Sequence, residues 1–477
     1  MTQHALDDHD EFSAHHIRLQ LSSREDGQIN SSIRVNEQGY HKFNAESGQH
    51  DHRDVALTVR LIRDDSASKL ESSLRQHSTV LEVKYPPNQI PSVTSSASPL
   101  SDLLVTKLEE VFSEEKSLIR YILGNPQLSA PSNPSVSRDS RSRHSTDLDP
   151  ETQAKLSTRM TRSLKYAATY HLTFSLFTPT AAPSSWDIEA AISEYIAPLL
   201  RSLSVVSNFT VDTQIQLHAR LAPSTPAPQY DAEAGVWVLR QEDLSSFLNA
   251  AEWPLSPSIG AGPTLNFVVY VPSPETSPLV VAERHATSWL IPQWGGVVIH
   301  NSRNATESSR YLGKERLRPA LLTFAHQLLS FMGAPESPLS LPLQLRTLVR
   351  VQALSLLLSA SATMGSLARL TVALPSIAIP ETVSVAVDST LTHLRQTCAA
   401  LKTGRFQMAL EHARTAEAHA EKGFFEKSMV GQVYFPDEHK VAVYLPLLGP
   451  VGVPLIMSAA KEIRRILTAR RAARTTR

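Results

Sequence analysis

The chain has 477 residues, of which 42% are hydrophobic, so it can bury a sizeable core in one large domain or in two or three ordinary ones. Its formal net charge is zero, which excludes a general attraction to nucleic acid or anionic lipid outside locally charged segments. Cys398 is the only cysteine, which excludes an intramolecular disulfide and any cysteine-based zinc or iron–sulfur site within this chain.

The first 53 residues are polar and predict a solvated, poorly ordered segment. Metal binding is the alternative interpretation of their seven histidines, but the spacing fits no ligand pattern and no cysteine accompanies them. The histidines are His4, His9, His15, His16, His41, His50 and His52. No signal-peptide-like apolar run opens the chain, so a lumenal location would require the C-terminal segment to direct insertion.

Residues 55–85 predict a strand, a short helix and a second strand. Apolar residues alternate over 55–61 as in a half-buried strand, 66–77 is typical of a short helix, and 79–85 indicates another strand. This order is that of a βαβ unit.

A longer helix is predicted over 102–123, where apolar residues recur at helical spacing with charges between them. Acidic pairs such as Glu114–Glu115 are expected on its solvated side. The Ser-, Pro- and Arg-rich stretch that follows predicts a disordered loop over 125–160, whose deletion should leave folding and assembly intact.

The central part of the chain predicts one sheet with covering helices. Alternation over 170–177, a helical pattern over 186–203 and alternation over 209–221 make a second βαβ unit. Residues 265–271 are apolar without alternation, as expected for an interior strand covered on both faces. Another short strand is predicted at 296–300.

Wide apolar faces predict helices over 316–425, completing one α/β domain over 54–435 with a central mixed sheet flanked by helices. One of these helices carries a stripe of small residues suited to close packing: Ala409, Ala413, Ala416 and Ala420. His393 and Cys398 suggest a base and a nucleophile, but no orienting acid is near, and a packed thiol is favoured.

Residues 441–460 carry no charge and, at ~1.5 Å per residue, are long enough to cross a bilayer as a helix. The tail 461–477 has seven basic residues and one acid, which predicts a cytosolic tail and a long N-terminal part across the membrane. A buried proline-rich segment and a re-entrant loop are the alternatives.

The proposed span contains Pro446, Pro450 and Pro454, which share one helix face because they lie four residues apart. Each proline lacks a backbone donor, so the carbonyl four residues earlier loses its usual partner. We predict that this face packs against spans of partner subunits and that Gly449 and Gly452 allow close approach. The alternative is a kinked anchor whose freed groups are satisfied locally.

Motifs for chemistry are not found: the sequence has no GxSxG elbow, HExxH, Walker loop or GxGxxG after a strand. We therefore predict no catalytic, cofactor-binding or metal-binding residue. Three glycosylation sequons begin at Asn30, Asn208 and Asn304. Asn208 and Asn304 are the favoured acceptors if this part of the chain is lumenal.

Several long blocks of the sequence resemble the PIG-S family of glycosylphosphatidylinositol (GPI) transamidase subunits. The resemblance runs in order from about residue 165 to 465, and more loosely upstream to about residue 55. The blocks are YHLTFSLF, NFTVDTQI, EDLSSFLNAAEWPL, LNFVVYVPSPETSPL, IPQWGGVVIHN and YFPDEHKVAVYLPLLGPVGVPL.

The resemblance implies a non-catalytic subunit with a large lumenal domain in the endoplasmic reticulum membrane. The implied complex removes a C-terminal signal from proproteins and joins the new carboxyl end to a GPI lipid. Catalysis would belong to a cysteine-protease-like PIG-K partner. The other implied partners are PIG-T-like and PIG-U-like subunits and the GPI-anchor-attachment scaffold subunit.

Family members also carry a span near the N-terminus, which residues 1–50 do not supply, and we interpret the difference as a truncated or wrongly chosen start. The second hypothesis for function is an independent membrane-anchored lumenal hydrolase or glycosyl-transfer enzyme. Purification in mild detergent distinguishes the two, because a subunit should come with its partners.

Overall fold

A computed structural model describes residues 15–22, 54–66, 68–89, 99–125, 148–219, 226–240, 243–244, 262–282, 285–301, 310–374, 377–429 and 437–475. By its contacts the chain divides into two compact units, and the division falls inside the region 54–435 that the sequence predicts to be one domain. Unit 1 comprises Met1–Ser359 and Leu394–Arg414, and unit 2 comprises Ala360–His393 and Thr415–Arg477.

The elements are numbered in chain order. The strands are β1 (His16–Ser22), β2 (Val55–Arg63), β3 (Glu71–Leu74), β4 (Val80–Tyr85), β5 (Thr169–Phe177), β6 (Ser185–Trp186), β7 (Asn208–Gln216), β8 (Gln229–Asp231), β9 (Val236–Leu239), β10 (Thr264–Tyr270), β11 (Leu279–Val281), β12 (Ser288–Ile291), β13 (Gly295–Ile299) and β14 (Tyr311–Leu312). The α-helices are α1 (Pro99–Gly124), α2 (Pro150–Arg162), α3 (Ile188–Ala191), α4 (Ala197–Leu203), α5 (Lys314–Phe331), α6 (Leu341–Ala373), α7 (Glu381–Lys402), α8 (Phe406–Phe424) and α9 (Asp437–Thr475).

The first sheet of unit 1 has the strand order β1-β2-β4-β3, with β3 antiparallel and the others parallel. Its core joins strand residues such as Leu57, Val59 and Val83 to Leu104 and Leu108 of α1. The strands predicted over 55–61 and 79–85 and the helix predicted over 102–123 are therefore confirmed.

Two predictions in this region are wrong. Residues 66–77 do not form a helix, because Glu71–Leu74 hydrogen-bond to the edge of β4, where Leu74 lies opposite Leu81. This long-range pairing outweighs a weak local preference, since serine is a modest helix former. The disorder predicted over residues 1–53 is wrong for His16–Ser22, which form β1 with Ile17 buried against β2. Residues 1–14 and 23–53 lie outside the described part of the chain.

The second sheet of unit 1 has the order β12-β13-β10-β5-β7 and is mixed, because the edge strand β12 runs antiparallel to β13 while the other four strands are parallel to one another. The predicted strands over 170–177, 209–221, 265–271 and 296–300 all belong to it, although β7 already ends at Gln216. β10 lies between β13 and β5 with six of its seven residues buried, as predicted for an interior strand. The central mixed sheet and the α/β fold class are thereby confirmed.

The main core lies between this sheet and the helices. Tyr170, Leu172, Phe174 and Leu176 of β5 alternate toward it, and Phe324 of α5 packs on Phe174 and Phe267. The helix predicted over 186–203 is present as α3, a π-helical turn over Ile192–Ile196, and α4.

The loop predicted over 125–160 is wrong for its last third, because α2 occupies Pro150–Arg162. The Asp149 carboxylate caps this helix by accepting from the Thr152 N–H at 3.2 Å, and Pro150 stands at its first turn. Leu156 is buried with Leu118 and Tyr121 of α1, so the helix has an apolar anchor. Residues 126–147 lie outside the described part of the chain.

The helical region predicted over 316–425 is present as α5 to α8. Ala409, Ala413, Ala416 and Ala420 are all fully buried, which confirms the close packing expected from their spacing. Unit 2 has a small core of its own, in which Leu367 of α6 packs with Val383 of α7 and with Met429.

Candidate functional site

Helix α9 carries the segment that the sequence predicts to cross a membrane. Within Val443–Thr468 the most apolar 18-residue window has a mean hydropathy of 1.7, and none of that window is buried inside the described chain. Leu445, Leu448 and Ile456 are 69%, 64% and 71% exposed. An apolar helix that buries none of its side chains in its own fold has the length and composition of a membrane span.

Helix α6 is also long and apolar enough to cross a membrane, since its most apolar 18-residue window has a mean hydropathy of 1.4, but 39% of that window is buried. Its Arg350 is 5% exposed and forms an ion pair with Glu115 of α1. This part of α6 is therefore a core helix of unit 1.

The three prolines do not interrupt α9, which is continuous from Asp437 to Thr475. Pro446, Pro450 and Pro454 are exposed, so no other part of the described chain covers their side chains. Successive prolines are rotated by about 40° around the helix at 100° per residue, which places them on one face.

The two glycines of α9 lie elsewhere on its circumference. At about 100° per residue, Gly449 borders the proline face, whereas Gly452 lies on the opposite side of the helix. A Cβ at either glycine would meet no atom within 4 Å. Gly449 can therefore serve an approach to the proline face, while Gly452 would serve only a different neighbour.

Asn208 is the one predicted glycan acceptor within the described residues, since Asn30 and Asn304 lie outside them. Its side chain is exposed at the start of β7, the edge strand of the second sheet, and its backbone N–H donates to the Ala168 carbonyl at 2.9 Å. Thr210, the third residue of the sequon, is also exposed, and its hydroxyl contacts the His171 ring. The sequon is thus accessible at a fixed position.

A buried cluster of charged residues surrounds Glu115 and was not predicted from the sequence. Glu115 was expected on the solvated side of α1, but it is only 2% exposed. The Arg350 guanidinium donates to both carboxylate oxygens, at 2.6 and 2.5 Å, and the Thr347 hydroxyl donates at 2.7 Å. The His15 Nε2 lies 3.1 Å from the same carboxylate. The cluster joins the segment before β1 to helices α1 and α6.

Burial by itself raises the pKa of the Glu115 carboxyl, but the charge and hydrogen bonds of Arg350, together with His15, hold that pKa well below its usual range. The Arg350 guanidinium also lies 5.3 Å from the ring centroid of Phe406 in α8. The cluster around Glu115 stabilises the packing of unit 1, because Arg350 and Thr347 direct their donors at the Glu115 carboxylate.

Glu114 is also not simply solvated. It forms an ion pair with Arg159 of α2 and accepts from the backbone N–H groups of Glu336 and Ser337. Adjacent carboxylates of α1 thus hold two different neighbours. The one feature of the sequence that could have indicated their burial is the apolar stripe of α1, which continues on both sides of this acidic pair.

A catalytic centre is not apparent in the described ranges. They contain no group of three or more His, Cys, Asp or Glu side chains that could hold a metal ion. Cys398 is exposed rather than packed. It lies five residues after His393 on α7, about 140° around the helix, so the two side chains do not share a face.

Comparison with known proteins gives one family. The sequence model of PIG-S, described as phosphatidylinositol-glycan biosynthesis class S protein, matches residues 1–469. The GPI transamidase component PIG-S homolog of Schizosaccharomyces pombe is 31% identical over 326 residues, which cover 65% of this chain and 56% of that protein.

Two further relatives are similar to the same extent. The GPI-anchor transamidase component PIGS of Mus musculus is 29% identical over 331 residues, covering 64% of this chain and 59% of that protein. The GPI transamidase component GPI17 of Saccharomyces cerevisiae is 29% identical over 324 residues, covering 62% and 58%. The chain thus spans a little under three fifths of the length of these curated relatives.

Proposed function

Because the chain belongs to the PIG-S family, whose model matches all but its last eight residues, we propose that it is a non-catalytic subunit of a GPI transamidase complex. The match along almost the whole chain is the observation that carries this proposal. Such a complex exchanges the C-terminal signal of a proprotein for a GPI lipid. The hypothesis of an independent hydrolase or glycosyl-transfer enzyme is not favoured, because relatives from mouse and two yeasts are named as components.

Catalysis in this proposal belongs to a PIG-K-like subunit with cysteine-protease-like chemistry. The remaining partners are PIG-T-like and PIG-U-like subunits and the GPI-anchor-attachment scaffold subunit. The contribution of this chain is then architectural, holding partners through its α/β surface and its C-terminal helix.

In this proposal the complex lies in the endoplasmic reticulum membrane, with α9 as the anchor, the bulk of the chain lumenal and the tail 461–477 cytosolic. Two observations support the anchor and its orientation: no apolar side chain in the most apolar window of α9 is buried within the described chain, and an excess of basic residues follows directly after this window.

Purification of the tagged chain in mild detergent tests the function. We expect it to co-purify in a fixed ratio with a cysteine-protease-like chain, and its depletion to lower GPI-anchored proteins and accumulate uncleaved proproteins. A chain that purifies alone and retains hydrolase activity would contradict the proposal.

Lumenal location is tested by glycosylation at Asn208, with Asn304 and Asn30 as the further proposed acceptors. Glycosidase should increase the mobility of the membrane-inserted chain, and Asn208→Gln should remove one step of that shift. Thr210→Val, which destroys the sequon, should act like Asn208→Gln, while Thr210→Ser should keep the glycan. Equal mobility of all three variants would exclude modification at Asn208.

A further inference from the structure

The turn between α6 and α7 in unit 2 exposes an apolar surface, which we call the apolar tip and define by Val372, Leu374, Ile379 and Val385. These side chains are 82%, 36%, 53% and 61% exposed. Between Arg369 and Asp388 the sequence contains a single charged residue, Glu381. Exposed apolar side chains concentrated in a charge-poor segment are typical of an interaction surface.

The same tip is packed against the chain that leads into α9. Met429 is fully buried with Leu367 of α6 and Val383 of α7, and Phe424 packs on this group. The next residue, Phe425, is 59% exposed and adds an aromatic ring beside it. The small core of unit 2 therefore fixes the end of α8 to the base of the apolar tip.

Chain length limits how far the tip can lie from the membrane. Seven residues, 430–436, separate Met429 from Asp437, and six further residues of helix α9 reach Val443. Even a fully extended connection followed by this helical turn spans no more than ~40 Å. The base of the tip is thus tethered within ~40 Å of the start of the proposed span.

We propose that the apolar tip inserts into the interface of the bilayer that α9 crosses, on the side of the folded domain. Valine, leucine and isoleucine in a segment with a single charged residue between positions 369 and 388 suit the boundary between head groups and acyl chains, and their partition does not depend on anionic lipid. The tether keeps this boundary at high effective concentration, so even a weak partition of a few side chains becomes a lasting contact. A second membrane contact of this kind would restrict how unit 2 tilts on its anchor.

The inference rests on the proposed anchoring by α9 but not on the transamidase function. The test uses the full chain with Cys398→Ser, so that an environment-sensitive fluorophore can be attached to one cysteine at a time. Probes at Val372→Cys and Ile379→Cys are compared with Thr392→Cys, an exposed control on α7 about 20 Å farther along that helix. Each labelled chain is reconstituted in phosphatidylcholine vesicles containing a spin-labelled lipid quencher.

We expect the probes at the tip to show blue-shifted emission and strong quenching by the labelled lipid, and the Thr392 probe to be quenched by aqueous iodide instead. Adding Ile379→Asp and Val385→Asp to the Val372 probe should abolish the shift, which excludes partition driven by the fluorophore. Vesicle flotation after alkaline extraction reports anchoring by α9 separately.

A chain that floats while its tip probes remain in water overturns the inference. Probes that report an apolar environment only in the assembled complex also overturn it, and they would assign the tip to a contact with a partner subunit. A chain that does not float refutes the anchoring, and the tip inference fails with it.

Discussion

At the scale of single residues, the cluster around Glu115 is the best-defined interaction of unit 1. A buried carboxylate is costly unless it is paired and hydrogen-bonded, and this one receives three donated hydrogen bonds from Arg350 and Thr347. Removing one partner leaves the other charge buried without compensation, so a single substitution should destabilise unit 1 measurably.

We expect Glu115→Ala to lower the free energy of unfolding by about 3–5 kcal/mol, because Arg350 would remain buried without its carboxylate. The control is Glu151→Ala, which removes an ion pair with Lys155 that is almost three-quarters exposed on both sides. That control should leave stability unchanged, since solvent screens such pairs. Urea titration of the detergent-solubilised chain measures both, and equal effects would remove the special role of burial.

The depressed pKa of Glu115 also predicts how this contribution changes with pH. A carboxyl whose pKa is lower in the folded than in the unfolded chain stabilises fully above the unfolded value, about 4.3, and less as the pH falls toward the folded value. The stability difference between the wild type and Glu115→Gln should therefore be present at pH 5 and shrink as the pH falls below about 4. A difference that grows as the pH falls from about 5 to about 3 would contradict the ion pair with Arg350.

At the scale of elements, helix α2 lies next to a polar, serine-rich stretch of sequence, yet it contributes Leu156 to the core of unit 1. We expect Leu156→Ala to destabilise unit 1 by about 2–5 kcal/mol, because its side chain fills a site between Leu118 and Val351. Lys155→Ala, one residue away and exposed, should have no effect. Two variants with the same urea midpoint would show that α2 does not contribute to the core.

The same element marks the limit of prediction from the sequence. β5 was predictable because its alternation is long and unmixed, and β10 because its run of apolar residues is uninterrupted. β1 and α2 were not, since a single short apolar pattern stands among polar residues in each. The region of β3 was predicted to be helical from its local spacing. Its conformation is decided by pairing with β4, which local spacing does not reveal.

The site was predictable only where its signal is local. Basic residues after an apolar run identify α9, and three residues identify the sequon at Asn208. Glu115 and Arg350 are separated by 235 positions, so no spacing in the sequence connects them. Gly452 is different, because helical spacing alone separates it from the proline face, so its grouping with Gly449 was an avoidable error.

At the scale of the whole molecule, the membrane-span segment of α9 is not covered by any other part of the described chain. In the proposed complex, the spans of partner subunits would cover it. Each proline of the span frees the carbonyl of the residue four positions earlier: Ala442, Pro446 and Pro450. An unsatisfied carbonyl in hydrocarbon costs several kcal/mol, so that face is a poor surface for lipid and a good one for helices with hydroxyl donors.

We expect replacement of residues 441–460 by a leucine–alanine span to preserve membrane anchoring and abolish assembly with partner subunits. A narrower variant, with Pro446, Pro450 and Pro454 changed to alanine, should weaken co-purification in the same direction. The matched control, Leu448→Ala with Leu455→Ala, alters the opposite side of α9 and should assemble normally. Alkaline extraction measures anchoring and detergent co-purification measures assembly. If the leucine–alanine chain still recovers its partners in full, the proline face has no recognition role, and α9 is a kinked anchor whose carbonyls are satisfied within its own helix.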